Sequence, residues 1–417
     1  MLKIKLKTKL IPSGVIGFLI FCLCFQNTYI GSISPKILTF QAYGRLLALA
    51  MCWGCVALQR INLLKSKVCI LTYSIVMINL LSTALNGGDI IACINTFVPL
   101  LLIITVLELN SSKENVLINI LNVWKWLCVL LTIIDIITEL KFPGGLYSTA
   151  LYSEYWFLGY KTERFVYIFP MLVMFGYINL KKTRRLNLDF WISFILGVIS
   201  CYLSGATTCW VTMIVFIGFY LVLHVLLGNK ESLRKQKLLY RLADYRVGII
   251  LYVVILICVL MAEKIQIVIE LTIMLGKDPT FSRRSLIWTR LIQVILKKPV
   301  LGLGYLSSLQ YSSMVYYAGG TNAHNMVLTM LVYGGCIGLF VYLMMFSGCM
   351  RRKNKEYSLI ELFLIAGVYS FLIAGVTSSI LVYSSFGFIL YWLLEYEKES
   401  DRIHAKSNFK KSIFTSK

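Results

Sequence analysis

Apolar runs long enough to cross a bilayer recur along almost the whole chain, and they leave few folds open to it. A helix rises about 1.5 Å per residue, so about 20 apolar residues span the hydrocarbon core. About twelve such runs can be counted between residues 12 and 396. Some are only about 16 to 18 residues long, short enough for one or two to be re-entrant or merged. With 58% hydrophobic and 14% charged residues, the chain has too little polar surface for a soluble protein of 417 residues. The expected fold class is an all-α integral membrane protein of about twelve transmembrane helices with one large external loop carrying an amphipathic helix.

A net charge of +22 raises the question of nucleic acid, but its distribution answers it. Basic residues favour short cytoplasmic loops. With Lys3, Lys5, Lys7 and Lys9 inside, twelve alternating spans also place inside Arg60, Lys65, Lys67, Lys113, the Lys181 to Arg185 cluster, the loop from Lys230 to Arg246, the Arg351 to Lys355 cluster and the C-terminal tail. Both termini are then cytoplasmic, and no nucleic acid is expected. The first run follows a basic segment but is long and lacks a small-residue cleavage site, so it reads as a retained span. The chain divides into 1–262, nine spans with short loops; 263–323, the large external loop; 324–396, three spans; and 397–417, a basic tail.

The external loop breaks the charge rule. From Gly276 to Asn325 it is rich in Lys and Arg although it faces outward, and this asks for an anionic partner. Asp278, Thr280 and Ser282 are cap-type residues ahead of a helical pattern with Leu286, Ile287, Leu291, Val294 and Ile295 on one face. Arg283, Arg284 and Arg290 occupy the other face, Lys297 and Lys298 the C-terminal end, and Pro299 stops the helix. A basic amphipathic helix of this kind is expected on the membrane surface. Gly302-Leu-Gly304 lacks the third glycine of a dinucleotide fingerprint and reads as a tight turn.

Of the three histidines, His224 and His404 fall on the cytoplasmic side and only His324 faces outward, at the mouth of the next span. It is the candidate base, close in sequence to the arginines, with Asn325 beside it to orient it or to bind substrate. Arg45 is an intramembrane cation in the second span, and Lys161 and Arg164 end a second external loop, residues 139–162, that carries Tyr147, Tyr152, Tyr155, Trp156, Phe157 and Tyr160. These rings suit a membrane belt and also sugar platforms. Ser200 to Cys209 reads as a short external hairpin of small packing residues. All twelve cysteines lie in apolar runs, including Cys52 and Cys55 of a C-x-x-C, and this argues against a disulfide framework. Walker A, HExxH, GxSxG and Cys/His metal clusters are absent from the sequence.

Gly276-x-Asp278-x-Thr280, Arg284, Trp288, Pro299-x-Leu301-Gly302-x-Gly304-Tyr305 and Ala323-His324-Asn325, followed by Gly334-Gly335-x-x-Gly338, resemble in that order the signature region of the O-antigen ligase and polymerase family. Leu158-Gly159-x-Lys161 and Ser204-Gly205-x-Thr207 resemble weaker family positions. Arg283 stands where relatives often have glycine, which leaves Arg283 and Arg284 both open for the family arginine. The resemblance implies a GT-C-like membrane glycosyltransferase in the bacterial cytoplasmic membrane. It would polymerise undecaprenyl diphosphate-linked repeat units of capsule, O-antigen or exopolysaccharide on the outer face. A ligase using the same donor and a lipid-linked oligosaccharide flippase are the alternatives. His324 and Arg284 would be catalytic, and Arg283, Arg290, Lys161, Arg164, Arg45 and Asn325 would bind substrate. No cofactor or metal is expected. The partners implied are the lipid-linked glycan, membrane lipids, and a flippase and chain-length regulator of the same pathway.

Overall fold

The computed structural model describes residues 12–25, 27–149, 154–228, 233–261, 269–270, 284–317, 320–351, 357–379 and 384–400. Asp278, Thr280, Ser282, Arg283, Tyr152 and His404 lie outside the described residues. What is described is a helical bundle without strands; two isolated bridges, Tyr147 with Tyr155 and Trp156 with Gly159, pin the second external loop. The helices are α1 Ser13–Cys24, α2 Thr28–Ile33, α3 Pro35–Gln59, α4 Lys67–Leu85, α5 Ile90–Leu109, α6 Glu114–Lys141, α7 Phe165–Thr183, α8 Leu188–Leu203 and α9 Thr207–Gly228. They continue as α10 Leu233–Leu242, α11 Tyr245–Leu260, α12 Arg284–Lys297, α13 Ser308–Met314, α14 Met326–Met350, α15 Leu359–Thr377 and α16, residues 388–400.

Seven of these helices are long and apolar enough to cross a membrane, and α10 with α11, bent by 59°, would make an eighth if the bent pair is one span. The chain is thus a multi-pass membrane protein. The shortfall from twelve has local causes: α1 and α8 are apolar but have only 12 and 16 residues, and α7 ends in Lys181 and Lys182. The core is built on α5, α7 and α15, whose faces are buried nearly all round, as expected of central spans. By contrast α3 lies at the periphery, turning only Gln41, Arg45 and Leu49 inward.

Charged contacts sort the helix ends into two groups. Glu395 of α16 accepts hydrogen bonds from Ser66 Oγ and the backbone N–H of Lys67 and Val68, capping α4, while Lys181 of α7 pairs with Glu397 at 2.8 Å and Glu114 at 3.4 Å. At the opposite end Arg164, before α7, is enclosed with Asp135 and Glu139 of α6, and Ser200 of α8 donates to Asp135.

The sharpest departure from regular helix is in α14, at Gly335, where φ is 61°. Tyr342 Oη lies 3.7 Å from Met326 Sδ, although sixteen residues of straight helix would separate them by about 24 Å, so the first half of α14 folds back on the second. The break removes the bonds that Cys336 and Ile337 would give to Val332 and Tyr333. Residues 299–304 replace all four groups. Leu303 and Gly304 donate to the carbonyls of Val332 (2.6 Å) and Tyr333 (3.2 Å), and Cys336 and Ile337 donate to those of Pro299 (2.8 Å) and Val300 (3.2 Å). The glycine turn is therefore a wedge in a broken helix. A Cβ on Gly335 would lie 2.3 Å from Val300 O, and one on Gly302, at φ 70°, 2.5 Å from Val332 O.

Gly335→Ala should accordingly cost several kcal/mol, about 1 to 3 for the backbone conformation and a similar amount for the clash. A lowered unfolding midpoint in detergent, with faster proteolysis between residues 299 and 304, is the expected result. An unchanged midpoint would show that the break does not depend on glycine.

Candidate active site

Arg284 opens α12, and the helix then buries Ile287, Trp288, Leu291 and Ile295 on one face. These residues join the hydrophobic core, and α12 packs against α14. Trp288 Nε1 donates to Ala323 O at 2.7 Å, which ties the arginine-bearing helix to the residue before His324. His324 itself has φ 48°, uncommon for a non-glycine residue, and its N–H donates to Asn322 Oδ1 at 2.7 Å. Ser379 Oγ donates to the same oxygen at 2.8 Å.

Asn325 fixes the other side of the histidine. It caps α14 by accepting from Leu328 N–H at 2.9 Å, accepts from Tyr252 Oη of α11 at 3.0 Å, and donates to Val376 O of α15 at 3.0 Å. Asn325 is buried, and both ends of its amide are bonded, to α11, α14 and α15, which fixes the backbone beside His324. Three helices thus hold the backbone on either side of one half-buried imidazole. The pKa of His324 is depressed from 6.5 to about 3, first by burial and then by the charge of Arg284. The structure therefore brings the two expected catalytic residues together and keeps the histidine neutral.

The other cations go elsewhere. Arg290 donates through Nη1 to the carbonyls of Val315 and Tyr316, the latter at 3.0 Å, and so braces the end of α13. Lys161 pairs with Glu154 at 3.2 Å. Arg164 is 0% exposed, 2.9 Å from Asp135 and 3.1 Å from Glu139, with Nη1 on Lys161 O. Expected as a substrate contact, it is enclosed by two carboxylates because its cation and their anions could not be buried separately. Arg45 lies among α1, α3 and α5. Asn322, Ser379, Tyr252 and Trp288 are the positioning residues that sequence reasoning did not assign to the site. Among the described residues no group of three His, Cys, Asp or Glu side chains converges as metal ligands.

Arg164→Ala should strand the two carboxylates and cost about 3 to 5 kcal/mol, read as loss of folded protein in the membrane. Adding Asp135→Asn and Glu139→Gln should restore it. Rescue would confirm a structural ion cluster; full folding of the single variant would contradict it.

The family model described as O-antigen ligase matches residues 192–343, from α8 through the loop to the second half of α14. This region is of the O-antigen ligase family. It contains Arg284, Trp288, the glycine wedge, His324 and Gly335, the residues on which the resemblance was read. The match supports a role of O-antigen ligase or polymerase type in polysaccharide biosynthesis at a membrane. Lys161 and Arg164 precede the family region, in keeping with their different surroundings. No curated protein sequence matches the chain.

Proposed function

We propose that the protein is a repeat-unit polymerase that uses an undecaprenyl diphosphate-linked oligosaccharide as donor on the outer face of the cytoplasmic membrane. The observation that supports this most is the pairing of the Arg284 cation with a neutral histidine at the opening of a broken span. An acceptor hydroxyl attacks the anomeric carbon of the donor sugar. The new glycosidic bond forms as the bond from that carbon to the diphosphate breaks, and the lipid diphosphate leaves with the electron pair. His324 takes the hydroxyl proton, and Arg284 stabilises charge on the leaving group without a divalent ion.

A base with pKa near 3 is weak on its own. The bound diphosphate offsets the charge of Arg284 and so raises the basicity of His324 when donor is present. The acceptor is the next lipid-linked unit. Incubating the purified protein with lipid diphosphate-linked repeats and chelator should yield a ladder of lengthening lipid-linked glycan. Transfer only to a different acceptor would make the protein a ligase.

The same reading puts Tyr316 outside and Leu238 of α10 inside. In a cysteine-free variant, Tyr316→Cys should react with an impermeant thiol reagent in intact cells and Leu238→Cys should not. Equal labelling would overturn the topology and the outward site together.

A further inference from the structure

Arg45 is 4% exposed within the span α3, and its Nε and Nη1 are enclosed without a hydrogen-bond partner. No ion pair reaches it among the described residues. It stands where α1, α3 and α5 meet: it acts electrostatically on Cys24, whose thiol donates to Pro99 O at 3.8 Å. Neither α1 nor α3 contains an acidic residue, and on α5 the only one is Glu108 at the far end, held by Trp392 Nε1 at 2.9 Å. Among the described residues, no carboxylate on these helices pairs with this cation. The C-terminal dipole of α1 favours a positive charge nearby, but Gln41 already donates to the Cys22 and Phe25 carbonyls there.

The surroundings indicate where an anion comes from. On the flank of α3 beside Arg45, about 100° round the helix, Leu46 is 43% exposed and faces lipid. Side chains lean toward the helix N-terminus, which for α3 is the outer end, so the guanidinium sits about a turn above its Cα, ten residues from Pro35. That is about 10 Å below the helix end, within reach of outer-leaflet headgroups. We infer that Arg45 is the seat of a lipid phosphate in the wall of the bundle, in the corner of α1, α3 and α5. The site stands whether or not the loop transfers sugar. The phosphate comes from a bilayer phospholipid or from a lipid diphosphate.

The test uses the full-length protein delipidated in detergent, titrated with phosphatidylglycerol, undecaprenyl diphosphate with chelator, or diacylglycerol as a phosphate-free control. Binding to the folded state raises its unfolding midpoint. Phosphatidylglycerol should raise that of the wild type by several degrees and diacylglycerol should not. Arg45→Met should match or exceed the wild type without lipid, since an unpaired buried charge is gone, and should lose the response. Arg45→Lys should keep a weaker one. A response to undecaprenyl diphosphate alone would assign the site to that lipid. Equal responses of wild type and Arg45→Met to both phosphates would overturn the proposal. Should Arg45→Met fail to fold, native mass spectrometry of the wild type decides: one phosphate-bearing lipid per chain supports the site, and none overturns it.

Discussion

Replacing His324 by alanine should lower turnover by about 10² to 10⁴-fold while the protein still reaches the membrane folded. The loss is expected in the rate, because the imidazole is asked to take a proton as the new bond forms. The surrounding backbone is held by others: Trp288 on Ala323 O, Asn325 on α11 and α15, and Ser379 on Asn322. One local complication is the φ of 48°, which alanine adopts less readily than histidine or asparagine. His324→Asn is therefore the sharper variant, since it keeps the backbone and removes the base. Both should be inactive alike, whereas His224→Ala, whose ring only stacks on Tyr220 at 5.7 Å, should be nearly silent. Equal loss in His224→Ala would remove the argument for His324.

The same histidine sets a pH dependence. Its folded pKa of about 3 lies below its ordinary 6.5, so the unfolded chain binds the proton more readily. Stability from the neutral ring is fully present above about 6.5 and is lost as pH falls toward 3. His324→Asn should flatten that part of the stability profile in detergent. In the free enzyme, kcat/KM should show no acid limb from this group near pH 6.

Much of this arrangement was legible because charge and apolar length act locally along the chain. The basic loop, the histidine at its end and the helix from Arg284 to Lys297 follow from residue type and spacing alone. What was not legible needs partners distant in sequence. Arg164 looked like a free cation, yet Asp135 and Glu139, one turn apart at the end of α6, signal a cation to be found nearby. Gly334-Gly335 stood only as part of the family-like signature, and nothing local says that α14 breaks there or that residues 299–304 enter the break and supply the missing hydrogen bonds. Arg290 belonged to the basic face by periodicity, and only the turn after α13 shows that carbonyls occupy it. A cation's sequence neighbourhood tells its compartment; whether it stays available to substrate depends on which acceptors the fold brings to it.

Arg284→Ala should cost about 3 to 4 kcal/mol of transition-state stabilisation, a loss of two to three powers of ten in turnover, because charge on the departing diphosphate develops where this cation stands. The variant has a second effect that a loss of binding alone would not produce. Without the neighbouring charge, His324 loses one of the two causes of its low pKa, and burial, the larger, remains. The residual activity should therefore show an acid limb moved part of the way up toward 6.5. Arg284→Lys separates the two contributions. It keeps the positive charge, so the limb stays low, but a point charge on a flexible stem cannot hold two phosphate oxygens as a guanidinium does. Partial donor binding with much reduced turnover is expected. The measurements are turnover and its pH profile for each variant on purified lipid diphosphate-linked repeat, with chelator present. Full activity in Arg284→Ala together with loss in Arg283→Ala would move the role one residue back, and full activity in both would take the anion site off this helix.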